Sequence, residues 1–175
     1  MHEAGAVLGS AEGTAGVPPF EEYVAARSPA LWRSAWLLTG DRHRAEDLVQ
    51  TALMKCWRRW HRIEDPGAIE AYVRRTMVTT YTDWRRRRWN GEVPTERMPD
   101  GVVDPPDLGV RRDVLAALAT LPRGQRAVVV LRYFDDLTET QTAATLGISV
   151  GTVKSQSARA LRALRTSGLL EASDE

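Results

Sequence analysis

From Phe20 onward, apolar residues recur at three- and four-residue intervals, the spacing of helices that bury one face. Phe20, Tyr23 and Val24 share such a face. Ser28-Pro29 then reads as an N-cap followed by proline at the first helical position, which predicts a second helix running to about Thr39. Gly40 suits a left-handed C-terminal cap, and Asp41 can cap the next helix, predicted from Asp41 to His61. Its stripe is Ala45, Leu48, Val49, Ala52, Leu53, Cys56, Trp57 and Trp60. After a further capped start at Asp65-Pro66, the stripe Ile69, Tyr72, Val73, Thr76, Met77, Thr80, Tyr81 and Trp84 runs into Arg85-Arg86-Arg87-Arg88. Periodicity then stops and resumes with Val110, Val114, Leu115 and Leu118, followed by Leu121-Pro122 and a helix carrying Val128, Val129, Leu131 and Phe134.

No strand-like alternation and no internal repeat occurs. The expected fold is all-α: two small helical domains joined by a flexible acidic linker, the C-terminal one a helix-turn-helix. The boundaries read as a disordered extension over residues 1–19, a first domain over 20–89, the linker over 90–109, a second domain over 110–168 and an acidic tail over 169–175. The linker is rich in proline and glycine and sets Glu92, Glu96, Asp100, Asp104 and Asp107 against Arg97 alone.

The segment Thr138 to Arg165 carries the most chemistry. Thr138-Glu139-Thr140-Gln141 has the capping-box form, in which threonine and glutamine satisfy each other's exposed amides at a helix start. Ala143, Ala144 and Leu146 follow, Gly147 ends that helix, and Ser149 can cap another within a few residues, the spacing of a helix-turn-helix. In the second helix Val153, Ser157, Ala160, Leu161 and Leu164 share one face. Thr152, Lys154, Ser155, Arg159, Arg162 and Arg165 lie on the others, with no acid between Gly147 and Gly168. Such a helix fits the major groove, where Lys and Arg contact guanine edges or phosphates and Ser or Thr bond either. A solvated basic helix in an ordinary bundle is the plainer alternative.

Composition narrows the function classes. The chain has 175 residues, 24 basic and 23 acidic, so the signal lies in local asymmetry rather than in the net charge of +1. One cysteine, Cys56, supports neither a disulfide framework nor a four-ligand zinc site. His2, His43 and His61 lack metal-ligand spacing, and no phosphate loop or nucleophile elbow occurs, so no metal, no cofactor and no enzymatic activity are expected. The longest aliphatic run, Ala127 to Leu131, is far too short to span a membrane, and no signal peptide is apparent, which predicts a soluble cytoplasmic protein. Beside the arginine tract, Tyr81, Trp84 and Trp89 set flat rings among guanidinium groups, a combination that can hold unstacked bases of single-stranded DNA. Opposite the core stripe of the Asp41 helix, Asp47, Gln50, Met54 and Arg58 form a second, polar face.

The blocks AEDLVQTALMKCWRRW, AYVRRTMVTTYTDWRRRR and LPRGQRAVVVLRYFDDLTETQTAATLGISVGTVKSQSARALRALR resemble an extracytoplasmic-function sigma factor, over nearly the whole stretch Phe20 to Arg165. The resemblance implies two domains that bind core RNA polymerase and open promoter DNA without an active site. Asp47, Leu48, Gln50, Trp57 and Arg58 then belong to the helix that docks on the polymerase clamp coiled coil, and the polymerase flap is a further implied contact. Val78 to Arg88 match the minus-ten element capture region, so Thr79, Tyr81, Trp84, Arg85, Arg86, Arg87 and Arg88 become DNA-binding candidates. At Thr79 the family typically has asparagine, and one hydroxyl replaces an amide that both donates and accepts. Thr152, Lys154, Ser155, Ala158 and Arg159 match the positions that face the minus-thirty-five element. The linker would thread the polymerase toward its RNA exit path. Whether an anti-sigma factor is a further partner stays open, as does the alternative of a stand-alone regulator that binds duplex DNA.

Overall fold

The computed structural model describes residues 16–89 and 112–168, and for residues 85–89 the backbone alone. Expectations for residues 1–15, the linker and the tail therefore lie outside the described residues. Among the described residues there are seven α-helices: α1 (Phe20–Thr39), α2 (Arg42–Trp57), α3 (Ile69–Trp89), α4 (Arg112–Ala119), α5 (Arg123–Val129), α6 (Glu139–Leu146) and α7 (Val150–Thr166). Short 3-10 turns at Trp60–Arg62 and Pro66–Ala68 lie between α2 and α3. Among the described residues there is no strand.

Three local expectations are corrected. Ser28 does not begin a new helix; its hydroxyl donates back to the Val24 carbonyl at 2.6 Å, and Pro29 sits inside α1 on an exposed side. A proline within a helix costs about 3 kcal/mol. The loss is offset because Tyr23, Leu31, Ala35 and Leu38, on both sides of it, bury against the other helices. α2 ends at Trp57 rather than His61: the Arg59 amide tightens to the Cys56 carbonyl at 3.0 Å, turning Trp60 off the helix axis. Trp60 stays buried by donating from Nε1 to the Pro18 carbonyl at 2.9 Å and by packing its ring 5.1 Å from Phe20 and 5.2 Å from Tyr23. Residues 16–19, expected within a disordered extension, are thus held in place, with Val17 also packed on the core.

The caps form as the sequence predicts. Gly40 adopts φ +65° and its amide donates to the Trp36 carbonyl, while Asp41 accepts from the Arg44 amide. Thr138 and Gln141 exchange hydrogen bonds of 3.1 and 2.9 Å, Gly147 takes φ +68°, and Ser149 Oγ accepts from the Thr152 amide at 3.0 Å. Between α5 and α6 the chain makes one wide helical turn, Val130–Phe134, closed by the Asp135 amide on the Val130 carbonyl at 3.0 Å. Asp136 follows at φ +54°, a left-handed conformation that aspartate tolerates better than most residues.

The first domain is tied together by Glu70 of α3. Its carboxylate accepts from Tyr23 at 2.9 Å, from Arg27 at 3.1 and 2.6 Å and from Arg74 at 3.1 Å. The second domain has a small core of its own, Val128, Ala143 and Val153. The larger core is shared: Leu118, Leu121, Val130 and Leu131 join Leu31, Leu37, Leu38, Val73 and Met77 in one apolar cluster. The two domains are docked directly on each other, with α1 and α3 meeting α4, the wide turn and α6.

Two measurements test this packing. Leu48 is fully buried, so Leu48→Ala should cost about 2–5 kcal/mol in denaturant unfolding. At Glu70, burial pushes the carboxyl up, but hydrogen bonds from Arg27 and Tyr23 and the charges of Arg27 and Arg74 outweigh it and hold the group below its ordinary value. A depressed folded value stabilises at neutral pH and is lost as pH falls through it. Glu70→Gln should therefore lower the Tm at pH 7 and remove part of the acid-side loss seen in thermal unfolding at stepwise lower pH.

Candidate nucleic-acid interface

On α7, the Ser149 cap and the buried row Val153, Ser157, Ala160 and Leu164 turn the opposite side outward. Lys154, Ser155, Ala158 and Arg159 are exposed there, and Thr152 is half-buried at the helix start. The hydroxyls are engaged locally: Ser149 and Thr152 lie 2.8 Å apart, and Ser155 donates to the Thr152 carbonyl at 3.0 Å. Lys154 Nζ stands 3.8 Å from Glu139, which also faces Arg132 at 3.9 Å. An exposed pair of this kind contributes little and is readily exchanged for a phosphate. Glu139 was legible in the sequence only as a helix-start acid, because its approach to Lys154 depends on how α6 crosses α7.

On α3, Thr79 points to solvent while Thr80, one residue on, is buried. Thr80 Oγ1 accepts from Lys55 Nζ at 3.0 Å and donates to the Thr76 carbonyl at 2.7 Å, which fixes the rotation of this stretch against α2. Trp84 is half-buried against the core. Tyr81 departs from the expectation of a ring free to meet a base. It is buried, and the Arg123 guanidinium of the second domain lies 5.0 Å over its ring. The backbone of α3 carries Arg85, Arg86, Arg87 and Arg88; their side chains lie outside the described residues.

On α2, Asp47, Gln50 and Arg58 are exposed, and so are Met54 at 57% and Trp57 at 54%. Trp57 leans on Phe20 with ring centroids 5.1 Å apart, which holds an indole on the surface in a defined position. Leu48 is a correction: fully buried in the core, it cannot touch a partner and instead supports this face from beneath. Cys56 is buried too, and burial pushes its thiol up.

A polar set between the domains escaped sequence reasoning. Arg126 of α5 is buried and donates from Nε to the Leu37 carbonyl at 2.6 Å. Burial lowers the Arg126 guanidinium from its ordinary value. Asp135 accepts from Ser34 Oγ at 2.6 Å and lies 3.6 Å from Arg74 Nε. Burial raises the Asp135 carboxyl, against the pull of Ser34 and Arg74. Arg33 extends over Phe134 at 6.0 Å. Among the described residues, no group of three His, Cys, Asp or Glu side chains could hold a metal ion, and no helix is long and apolar enough to cross a membrane.

Comparison with known proteins agrees with this layout. The sigma-70 region 2 family matches residues 23–91 and the sigma-70 region 4 family matches residues 111–164. The RNA polymerase sigma-E factor of Streptomyces coelicolor is 48% identical over 151 residues, covering 83% of this chain and 84% of that protein. The ECF RNA polymerase sigma factor SigL of Mycobacterium tuberculosis is 34% identical, over 77% of this chain and 80% of that one. Among solved structures, the sigma factor RpoE from Bartonella quintana, in complex with the anti-sigma factor NepR, superposes with a TM-score of 0.69 at 26% identity, covering 89% of this chain and 98% of that one. The chain belongs to the sigma-70 family as an extracytoplasmic-function sigma factor, directing RNA polymerase to specific promoters for transcription initiation.

Proposed function

We propose that the chain works by binding alone, in the cytoplasm and without a catalytic residue or cofactor of its own, through three surfaces. Asp47, Gln50, Met54 and Trp57 on α2, with Arg58 just past its end, dock on the clamp coiled coil of core polymerase. Thr79, Tyr81, Trp84 and the arginines 85–88 on α3 capture the unstacked non-template strand of the minus-ten element. Thr152, Lys154, Ser155, Ala158 and Arg159 on α7 hold the minus-thirty-five duplex. The observation that carries this reading is the surface of α2, where two large apolar side chains stay exposed among charged neighbours, the composition of a protein-binding anchor. The polymerase flap is a further partner of the second domain. An anti-sigma protein is another, supported by the complex in which the RpoE relative was solved.

Strand capture at Thr79 proceeds with a single hydroxyl, so the base preference at its promoter position is set more by stacking and shape than by paired hydrogen bonds. The linker, by its charge, suits the basic path along which RNA leaves the polymerase.

Run-off transcription with sigma-free core polymerase on a promoter library is the direct test. Promoter-directed transcripts are expected; specific binding to duplex DNA by the free protein without any such transcript would instead favour a stand-alone regulator. Lys154→Ala should reduce discrimination at the upstream element about tenfold, within the ~1–3 kcal/mol of a specific base contact, and leave core binding intact. Trp57→Ala and Asp47→Ala should weaken core binding measured by fluorescence anisotropy. Equal loss of core binding in all three variants would reject the division of labour.

A further inference from the structure

Glu139, the first residue of α6, reaches across to α7. One carboxylate oxygen, Oε2, lies 3.8 Å from Lys154 Nζ, and the other, Oε1, lies 3.9 Å from Arg132 Nη2. Both separations exceed hydrogen-bond length, so the carboxylate acts on these neighbours through charge. Arg132 is the fixed side of the row. It donates from Nη1 to the Leu137 carbonyl at 2.6 Å, its guanidinium lies 5.8 Å over the Tyr133 ring, and its Nε is buried. Lys154 is the loose side, with 64% of its side chain exposed against 36% for Glu139 and 25% for Arg132. The partial positive charge of the helix start also favours an acid in the first turn of α6. Arg132 and the helix start thus keep the carboxylate in place, and Lys154 is the neighbour that can leave it.

That placement bears on what Lys154 can hold. A lysine is a point charge on a flexible stem, and left to itself it takes a phosphate as readily as a base edge. A phosphate carries no sequence information, whereas guanine O6 and N7 do. The two acceptors differ in charge. A phosphate drawn to Lys154 brings an anion up to the Glu139 carboxylate, but a base edge brings a neutral dipole. In helix-turn-helix docking the second helix enters the major groove and the first crosses the backbone, so an acid at the start of α6 stands on the phosphate side of Lys154. The acid comes from α6, since α7 offers none: no Asp or Glu occurs from Gly147 to Gly168.

We infer that Glu139 is a specificity-determining residue for the upstream promoter element: its carboxylate, held by Arg132, stations the Lys154 ammonium at the groove and turns it from phosphates toward base edges. The inference rests on the assignment of Lys154 to the minus-thirty-five duplex given above. Glu139 touches no base in this role; it is a positioning residue that acts through Lys154. An acid on an otherwise basic DNA-binding face lowers affinity for every sequence and widens the gap between the correct site and a random one, because it weakens the phosphate-only alternative most.

The test uses holoenzyme reconstituted from core polymerase and the full chain, with two duplex probes: the strongest promoter from the library above, and the same duplex with its upstream element scrambled. Affinity for each is measured over a series of KCl concentrations for wild type, Glu139→Gln, Glu139→Asp, Lys154→Ala and the double variant Glu139→Gln/Lys154→Ala. Glu139→Gln should bind the scrambled duplex more tightly and lower discrimination about three- to fivefold, the range of an exposed ion pair. Its log–log salt dependence on the scrambled duplex should steepen by about 0.9, the mark of one added phosphate contact. Glu139→Asp, which keeps the charge, should stay within about twofold of wild type. In the Lys154→Ala background, Glu139→Gln should leave discrimination unchanged. A merely structural role for Glu139 would lower the Tm in both backgrounds and weaken binding to both duplexes, rather than strengthen it on the scrambled one. That outcome would overturn the inference, as would a loss of discrimination that is the same with and without Lys154, or a Glu139→Gln protein that discriminates like wild type although Lys154→Ala discriminates less. If Lys154→Ala keeps full discrimination, the assignment of Lys154 is what fails, and the inference falls with it. A library that yields no promoter would remove the sigma reading, and the same cycle on duplexes selected by the free chain would still decide the role of Glu139.

Discussion

The last carbonyls of a helix need donors from beyond its own ladder, and in α1 the Gly40 amide takes Trp36 while a guanidinium from the second domain, Arg126, takes Leu37. The Arg126 contact ties the end of α1 to the second domain. α1 turns part of its surface toward α2 and α3 and another part toward α4 and the wide turn, so the first domain's longest-range packing and the closure of the molecule share a single element. Small helical domains have thin cores. Here the second domain's own cluster of Val128, Ala143 and Val153 is supplemented by the apolar residues it places against α1 and α3.

The proposed contact surfaces are positioned by interactions at their backs. Leu48 and Cys56 anchor α2 from below, and the Phe20–Trp57 contact holds an exposed indole in place. Lys55 on Thr80 sets the rotation of α3, which leaves Thr79 outward. On α7 the capped start at Ser149 and the buried row beginning at Val153 decide which side faces outward. In each case a polar or apolar group behind the surface determines where the exposed residues point.

What was legible in the sequence is what short-range chemistry encodes. Gly40, Asp41, Thr138, Gln141, Gly147 and Ser149 act within a few residues of themselves, and each takes the conformation or hydrogen bond its type predicts. Ser28-Pro29 misled for the same reason: the local signal is a helix start, and only burial on both sides overrides it. Leu48 fell among docking residues because its neighbours in the chain are exposed, although a helix turns it inward. Nothing near Tyr81 in sequence shows that Arg123 will lie over its ring. The seam was not legible at all. Ser34 and Asp135 are 101 positions apart and Arg126 and Leu37 are 89 apart, and neither pair belongs to a periodic pattern.

Gly40 carries two demands at one position. Its φ of +65° ends α1, and the space where a side chain would begin seats the Arg126 guanidinium. A side chain there would strain the left-handed cap and make the end of the Arg126 side chain shift by a few tenths of an ångström. The end of a helix and the seat of a guanidinium from the second domain thus meet at a residue that has no side chain of its own.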